Sequence, residues 1–195
     1  MKTNFQTCNC DMNLIDVTGL CIPGDTTDVI KNTPYWRQMY ISEYLEIPSN
    51  KLDIEHINSI NISVSILQKK VIKTPRSYDD SGTTPVETPN LEGKLLTGRK
   101  LIIEGQLCQK IVYTSTEAAQ PVHSVDFYVP FSFYIVVPKE VTFQGQNGAD
   151  IVEDSFNVNF NVDSCIEDVT ACVLDVRRIL KQVTLLLYAV PTQSC

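Results

Sequence analysis

Seven of the 195 residues are cysteine, and these are the side chains best able to do chemistry. Cys8-Asn9-Cys10 is the most informative group. In an extended chain, residues two apart point to the same side, so both thiols would face one surface. A bond between them would close a small strained ring, whereas bonds to two separate partners suit ordinary disulfide geometry. Cys195 is the last residue, and a terminal thiol is accessible and has no packing reason to exist. Cys8, Cys10 and Cys195 are therefore read as intersubunit disulfide sites. Cys21 lies in a turn-rich stretch from which it could pair inside or outside the chain, and it is placed with them. Unreacted thiols and a metal site are the alternatives for Cys8 and Cys10. A closed zinc site usually draws on CxxC-type pairs, and only His56 and His123 accompany the cysteines, so neither a metal nor a cofactor is expected.

The remaining cysteines read as structural. Cys108 falls on the polar row of a strand and is expected to be covered by a second layer. Cys165 and Cys172 sit seven apart across an expected turn, as buried apolar thiols or an internal bridge, and burial is the preferred reading. An odd total leaves at least one thiol without an internal partner.

Other candidates for chemistry are weak. His123 and Ser124 would point to opposite faces of a strand, so they form no nucleophile–base pair. There is no GxSxG, P-loop or HExxH motif. Asp79-Asp80 and Glu153-Asp154 read as solvated or weakly calcium-binding loop acids. No catalytic residue is expected and the chain is not read as an enzyme. Trp36, with Tyr35 and Tyr40 nearby, is expected to plug the edge of the fold; a sugar-stacking platform is the alternative.

The elements that would position these residues are β-strands. Ile60, Ile62, Val64 and Ile66 alternate with polar residues, as do Leu101, Ile103, Leu107 and Ile111. Phe127 to Val137 and Phe156 to Val162 continue the pattern, and Val183 to Val190 is apolar on both faces, as a central strand would be. Pro48-Ser49-Asn50 before KLDIEHI predicts one or two helical turns, and Asp175 to Lys181 predicts a hairpin. Thr74 to Asn90 and Gln144 to Asp150 are loops. Residues 1–34 read as an extended cysteine-bearing arm with at most one short strand near Leu14 to Val17. Residues 35–190 form one domain and 191–195 a tail. Strands with one apolar face must pair two faces together, so the expected fold is all-β, an antiparallel, jelly-roll-like β-sandwich with an extended N-terminal arm.

Composition restricts the partners. Acidic residues outnumber basic ones, 23 to 16, for a net charge of −7. That balance disfavours nucleic acid, whose phosphates need Lys and Arg. No run approaches the ~20 apolar residues that span a bilayer, and Met1 to Asp16 lacks the apolar core of a secretory signal. Synthesis in a cytoplasm is expected, with no membrane partner.

In order and spacing, several stretches resemble the SPOCS-type domain of clostridial sporulation proteins. They are Ile41 to Pro48 (ISEYLEIP), KLDIEHI, Lys69 to Pro75 (KKVIKTP), LTGRKLIIEGQL, IVYTS, QPVHSVDFYVPFSFYIVVP and CIEDVTACVLDVRRI. They span most of residues 36 to 190. The resemblance implies a structural role in assembly of the spore envelope, and no catalysis. Members that recruit coat proteins carry several copies of the domain or an added LysM module. This chain has one copy and a cysteine-bearing arm, which points to self-association in a filament or lattice, with other spore-coat proteins as further partners. The arrangement resembles, in architecture and not in sequence, the spore-appendage pilins of bacilli. Deposition on the endospore surface after synthesis in the mother cell is the expected location, with oxidation as that cell lyses. A coat-assembly adaptor and a glycan-binding module are the alternative functions.

Overall fold

Alternation along the strands determines which side chains enter the core. On β4 (Thr97–Ser115), Leu101, Ile103, Leu107, Ile111 and Tyr113 are buried, while Ile102, Glu104 and Lys110 face outward. The computed structural model describes residues 15–32, 34–78, 81–85, 96–119, 121–145 and 147–193.

β4 is flanked by β3 (Ile54–Arg76) and β5 (Val122–Val136), both antiparallel to it, so the three strands follow one another as a meander. β1 (Asp16–Thr18) adds to the far edge of β3 in parallel, matching Ser59 to Asn61. The second sheet has β9 (Arg178–Thr192) at its centre, between β2 (Trp36–Glu46) and β8 (Asn159–Val173). Its central position explains why the run from Val183 is apolar on both faces. A hairpin of β6 (Glu140–Gln144) and β7 (Asp150–Asp154) closes one end. The inner rows of the two large sheets form one apolar core. Each fully buried Ile or Leu contributes roughly 1.5–3 kcal/mol of transfer free energy.

The sandwich closes along both sides, with β3 beside β8 and β2 beside β5. On the β2–β5 side Arg37 does the joining. Its guanidinium lies 4.5 Å from the Phe133 ring centre and 4.2 Å from that of Tyr134. Lys100 approaches Tyr134 as well, at 3.8 Å. Hydrogen bonding to Arg37 holds the Tyr134 hydroxyl below its ordinary pKa.

Four sequence expectations change. The N-terminal stretch is not extended from Ile15 onward: β1 docks, and α1 (Pro23–Asn32) follows it. Pro23-Gly24 reads as a turn, yet Pro is also favoured in the first helical turn, where its missing N–H costs nothing. Second, KLDIEHI is a turn followed by strand. Lys51 N–H donates to Pro48 O at 2.9 Å, and β3 begins at Ile54. Register shifts between Ile54 and His56 and between Ile57 and Ser59 place Ile54, Ile57 and Ile60 inward at intervals of three, which imitates helical spacing. Third, β8 begins only at Asn159, leaving Phe156 exposed in a turn, with Arg99 4.3 Å above its ring. Fourth, β9 continues through Pro191 and Thr192, which pair with Phe160 and Asn159, so the tail starts later than Pro191.

Candidate cross-linking site

Gly19 allows the N-terminal segment to turn against the sheet. Its φ is +102°, and a Cβ there would lie 1.8 Å from Ile62 O. The chain next reaches the outer face of β8, where Cys21 N–H donates to Ile166 O at 3.0 Å. There Cys21 and Cys165 form a disulfide, Cα–Cα 5.3 Å. Cys21 therefore pairs within the chain, which corrects its reading as an intersubunit site. The cause is β1, whose register delivers Cys21 to β8. Cys165 is 2% exposed, as its expected burial required, but as half of a bridge.

α1 then lies over the outer face of the β2–β9–β8 sheet. Between them is a cavity of about 420 Å³ lined by Cys21, Thr27, Ile30, Trp36, Glu167 and Leu186, among others. Leu186 is buried although it points away from the core, because α1 covers it. Gln38 donates to both oxygens of Glu167, at 2.8 and 3.1 Å. Trp36 thus belongs to an outer groove. The aromatic that plugs the core is its neighbour Tyr35, edge-on to Phe160 at 6.0 Å.

Cys172, on the outer face of β8 opposite Leu180, is buried and also disulfide-bonded, against its reading as a free thiol. Cys108 is free and half-buried on the outer face of β4, between Ser63 and Tyr128 on the flanking strands. Neighbouring side chains shield it, with Gln106 Nε2 3.6 Å from its sulfur. Cys8, Cys10 and Cys195 lie outside the described residues, as do Asp79 and Asp80.

Of the other expected acids and bases, Asp154 and His123 have partners. Asp154 Oδ1 accepts from Phe156 N–H at 3.0 Å, and its Oδ2 lies 3.4 Å from Arg99. The backbone hydrogen bond, helped by Arg99, holds its carboxyl below the ordinary value. The His123 ring lies 5.9 Å from that of Tyr113. Among the described residues no three His, Cys, Asp or Glu side chains group as metal ligands. No helix there is long and apolar enough to cross a membrane.

Sequence reading missed one polar cluster inside the core. Glu43 on β2 and Lys181 on β9 are register partners, both inward-facing, and they form an ion pair. Gln109, inward on β4 of the opposite sheet, donates its Nε2 to the same carboxylate at 3.3 and 3.2 Å. Lys181 is 0%, Gln109 4% and Glu43 8% exposed. Burial lowers the Lys181 pKa, and its bond to Glu43 opposes that shift. The signal was parity: Lys181 shares its side with Val183, Leu185 and Leu187, and Gln109 shares its side with Leu107 and Ile111.

No curated protein and no solved structure matches the chain. Residues 53–174, from just before β3 through β8, match the family described as SipL, SPOCS domain. The stretch Ile41 to Pro48 lies outside that match, as do β1, α1, β2 and β9. Since the match covers well over half of the 195 residues, the chain belongs to the SPOCS domain family and is a sporulation-related protein.

Proposed function

We propose that the chain is a non-enzymatic structural subunit of the endospore surface, in an appendage fibre, exosporium or coat. It assembles with copies of itself and is locked by intersubunit disulfides through those of Cys8, Cys10 and Cys195 that are not joined to Cys172. The observation that carries this reading is a pair of sheet edges that, among the described residues, have no strand paired along their full length. β5 pairs with β4 through all fifteen of its residues, and its other side has no paired strand among the described residues, with β2 nearby at Arg37. Among the described residues the far side of β3 is paired only from Ser59 to Asn61, by β1, with β8 lying beside it. Unpaired edges of this length are templates for strand addition, and Tyr128 and Leu67 are exposed on these two strands. Cys8 and Cys10 precede Ile15 by seven and five residues, a span of at most about 24 and 17 Å, which limits them to a neighbour packed directly against this part of the domain. Such head-to-tail contacts build filaments when they do not close.

Assembly would begin with reduced chains in the mother cell, and oxidation at lysis would fix the contacts. The groove beside Trp36 supports a second reading, a glycan-binding module, because an indole flanked by Gln38 and Glu167 offers stacking and hydrogen bonding together. Electron microscopy of the purified protein, with gels run with and without reductant, tests the first. Ordered fibres or arrays and a reductant-sensitive ladder are expected. The Cys8→Ser/Cys10→Ser double variant should fold and lose the ladder. A monodisperse monomer whose thiols at these positions all alkylate readily would rule assembly out.

A further inference from the structure

The Lys181–Glu43–Gln109 cluster sets a nucleophile, a proton carrier and a carboxamide together in the apolar core. Glu43 touches both reacting groups at once: its carboxylate pairs with the Lys181 ammonium and accepts from Gln109 Nε2 at 3.2 Å. Gln109 Oε1 is buried and has no hydrogen-bond partner among the described residues. A buried carbonyl left in that state needs a reason.

We propose that Lys181 and Gln109 join in an internal ε-(γ-glutamyl)lysine amide, with Glu43 carrying the proton between them. In the dry interior, separated charges are costly, so Lys181 passes a proton to Glu43 and becomes a neutral, nucleophilic amine. Burial acts in that direction on Lys181. Its Nζ attacks Gln109 Cδ, forming the new C–N bond. The bond from Cδ to Nε2 breaks as Nε2 takes the proton that Glu43 holds, Nζ returns its surplus proton to the Glu43 carboxylate, and ammonia leaves. An amine and a primary carboxamide become a secondary amide and ammonia, with no oxidant or cofactor needed. The leaving nitrogen already faces the group that must protonate it. Reacting groups held about 3–3.5 Å apart can reach effective concentrations of roughly 10⁵ M, and one event per molecule suffices.

The bond would tie β4 of one sheet to β9 of the other, which suits a subunit that bears load but does not depend on self-assembly. The test is the intact mass of the full chain after reduction, followed by sequencing of a protease digest. The expected mass is lower than that of the sequence by one ammonia, with one branched peptide joining Lys181 to Gln109. Lys181→Met and Glu43→Gln should each restore the full mass. The wild-type mass is decisive even if these variants fold poorly. Full mass with Lys181 and Gln109 in separate unmodified peptides overturns the proposal. So does loss of one water with Lys181 joined to Glu43.

Discussion

Cys21 and Cys165 are joined on the outer face of β8 although 144 positions separate them in the chain. The bridge closes nearly the whole described domain into one loop. In the chain-entropy account, a loop of that size is worth about 5 kcal/mol against the unfolded state. Replacing both cysteines with Ser should lower stability by roughly 3–5 kcal/mol, measured as a shift in the urea midpoint against the oxidised wild type. Coincident midpoints would show that the bridge constrains nothing. The same variant separates internal from external cross-links, since a polymer ladder built by the intersubunit cysteines should survive it.

Gly19 controls how the N-terminal segment docks. At φ +102°, with Ile62 O only 1.8 Å from where a Cβ would sit, no other residue fits without moving the backbone. Gly19→Ala should detach β1 from β3 at a cost of about 1–3 kcal/mol. Hydrogen exchange should then accelerate at Ser59 to Asn61 and leave β4 protected. Unchanged exchange at Ser59 to Asn61 would mean that β1 adds nothing to the edge.

Arg177 fixes the connection that leads into β3. Its Nη1 donates to Pro48 O at 3.1 Å and Lys51 O at 2.8 Å, while Nη2 meets Asp53 at 2.6 Å. Both charged partners are over a third exposed, so the pair itself is worth little. The two carbonyl bonds matter more, and Arg177→Ala should cost about 1–2 kcal/mol. Lys cannot fork in this way, so Arg177→Lys should recover only part of the loss in a thermal melt. Full recovery would show that charge alone is what counts.

Long strands with one apolar face were legible in the sequence because burial fixes their parity. β4, β5 and the stretch of β3 from Ile60 follow directly from Leu101, Phe127 and Ile60 and the positions two apart from them. Elements whose position depends on tertiary partners were not legible. β1 is three residues held by an edge, α1 is read locally as a Pro-Gly turn, and two bulges disguise Ile54 and Ile57 as helical. The fate of the cysteines divides in the same way. Burial of Cys165 and Cys172 was the preferred reading, but no turn separates them, since both lie on β8, and pairing depends on which chain segments meet. For Cys21 that is set by the β1 register, some forty residues away from β1 in the sequence at Ser59. The core polar cluster was hidden because Glu43, Gln109 and Lys181 are each unremarkable alone and become unusual only when two sheets face each other.

The hairpin between β8 and β9 should make the fold sensitive to acid. Asp175 Oδ1 accepts from the N–H groups of Arg177 at 2.9 Å and Arg178 at 2.8 Å, and Oδ2 from Arg178 Nε at 2.7 Å. The Arg177 N–H, then the Arg178 side chain, hold its carboxyl below the ordinary value of 3.8. Asp154 is lowered in the same sense by the N–H of Phe156. A carboxyl lowered on folding contributes its stability above the unfolded value, and loses it as pH falls through the folded one. Stability should therefore be level from neutral pH to about 5 and decline below about 4. Urea midpoints measured across that range check this, and Asp175→Asn should flatten part of the decline because its side chain no longer titrates. An equally steep decline in Asp175→Asn would assign the acid sensitivity to other carboxylates.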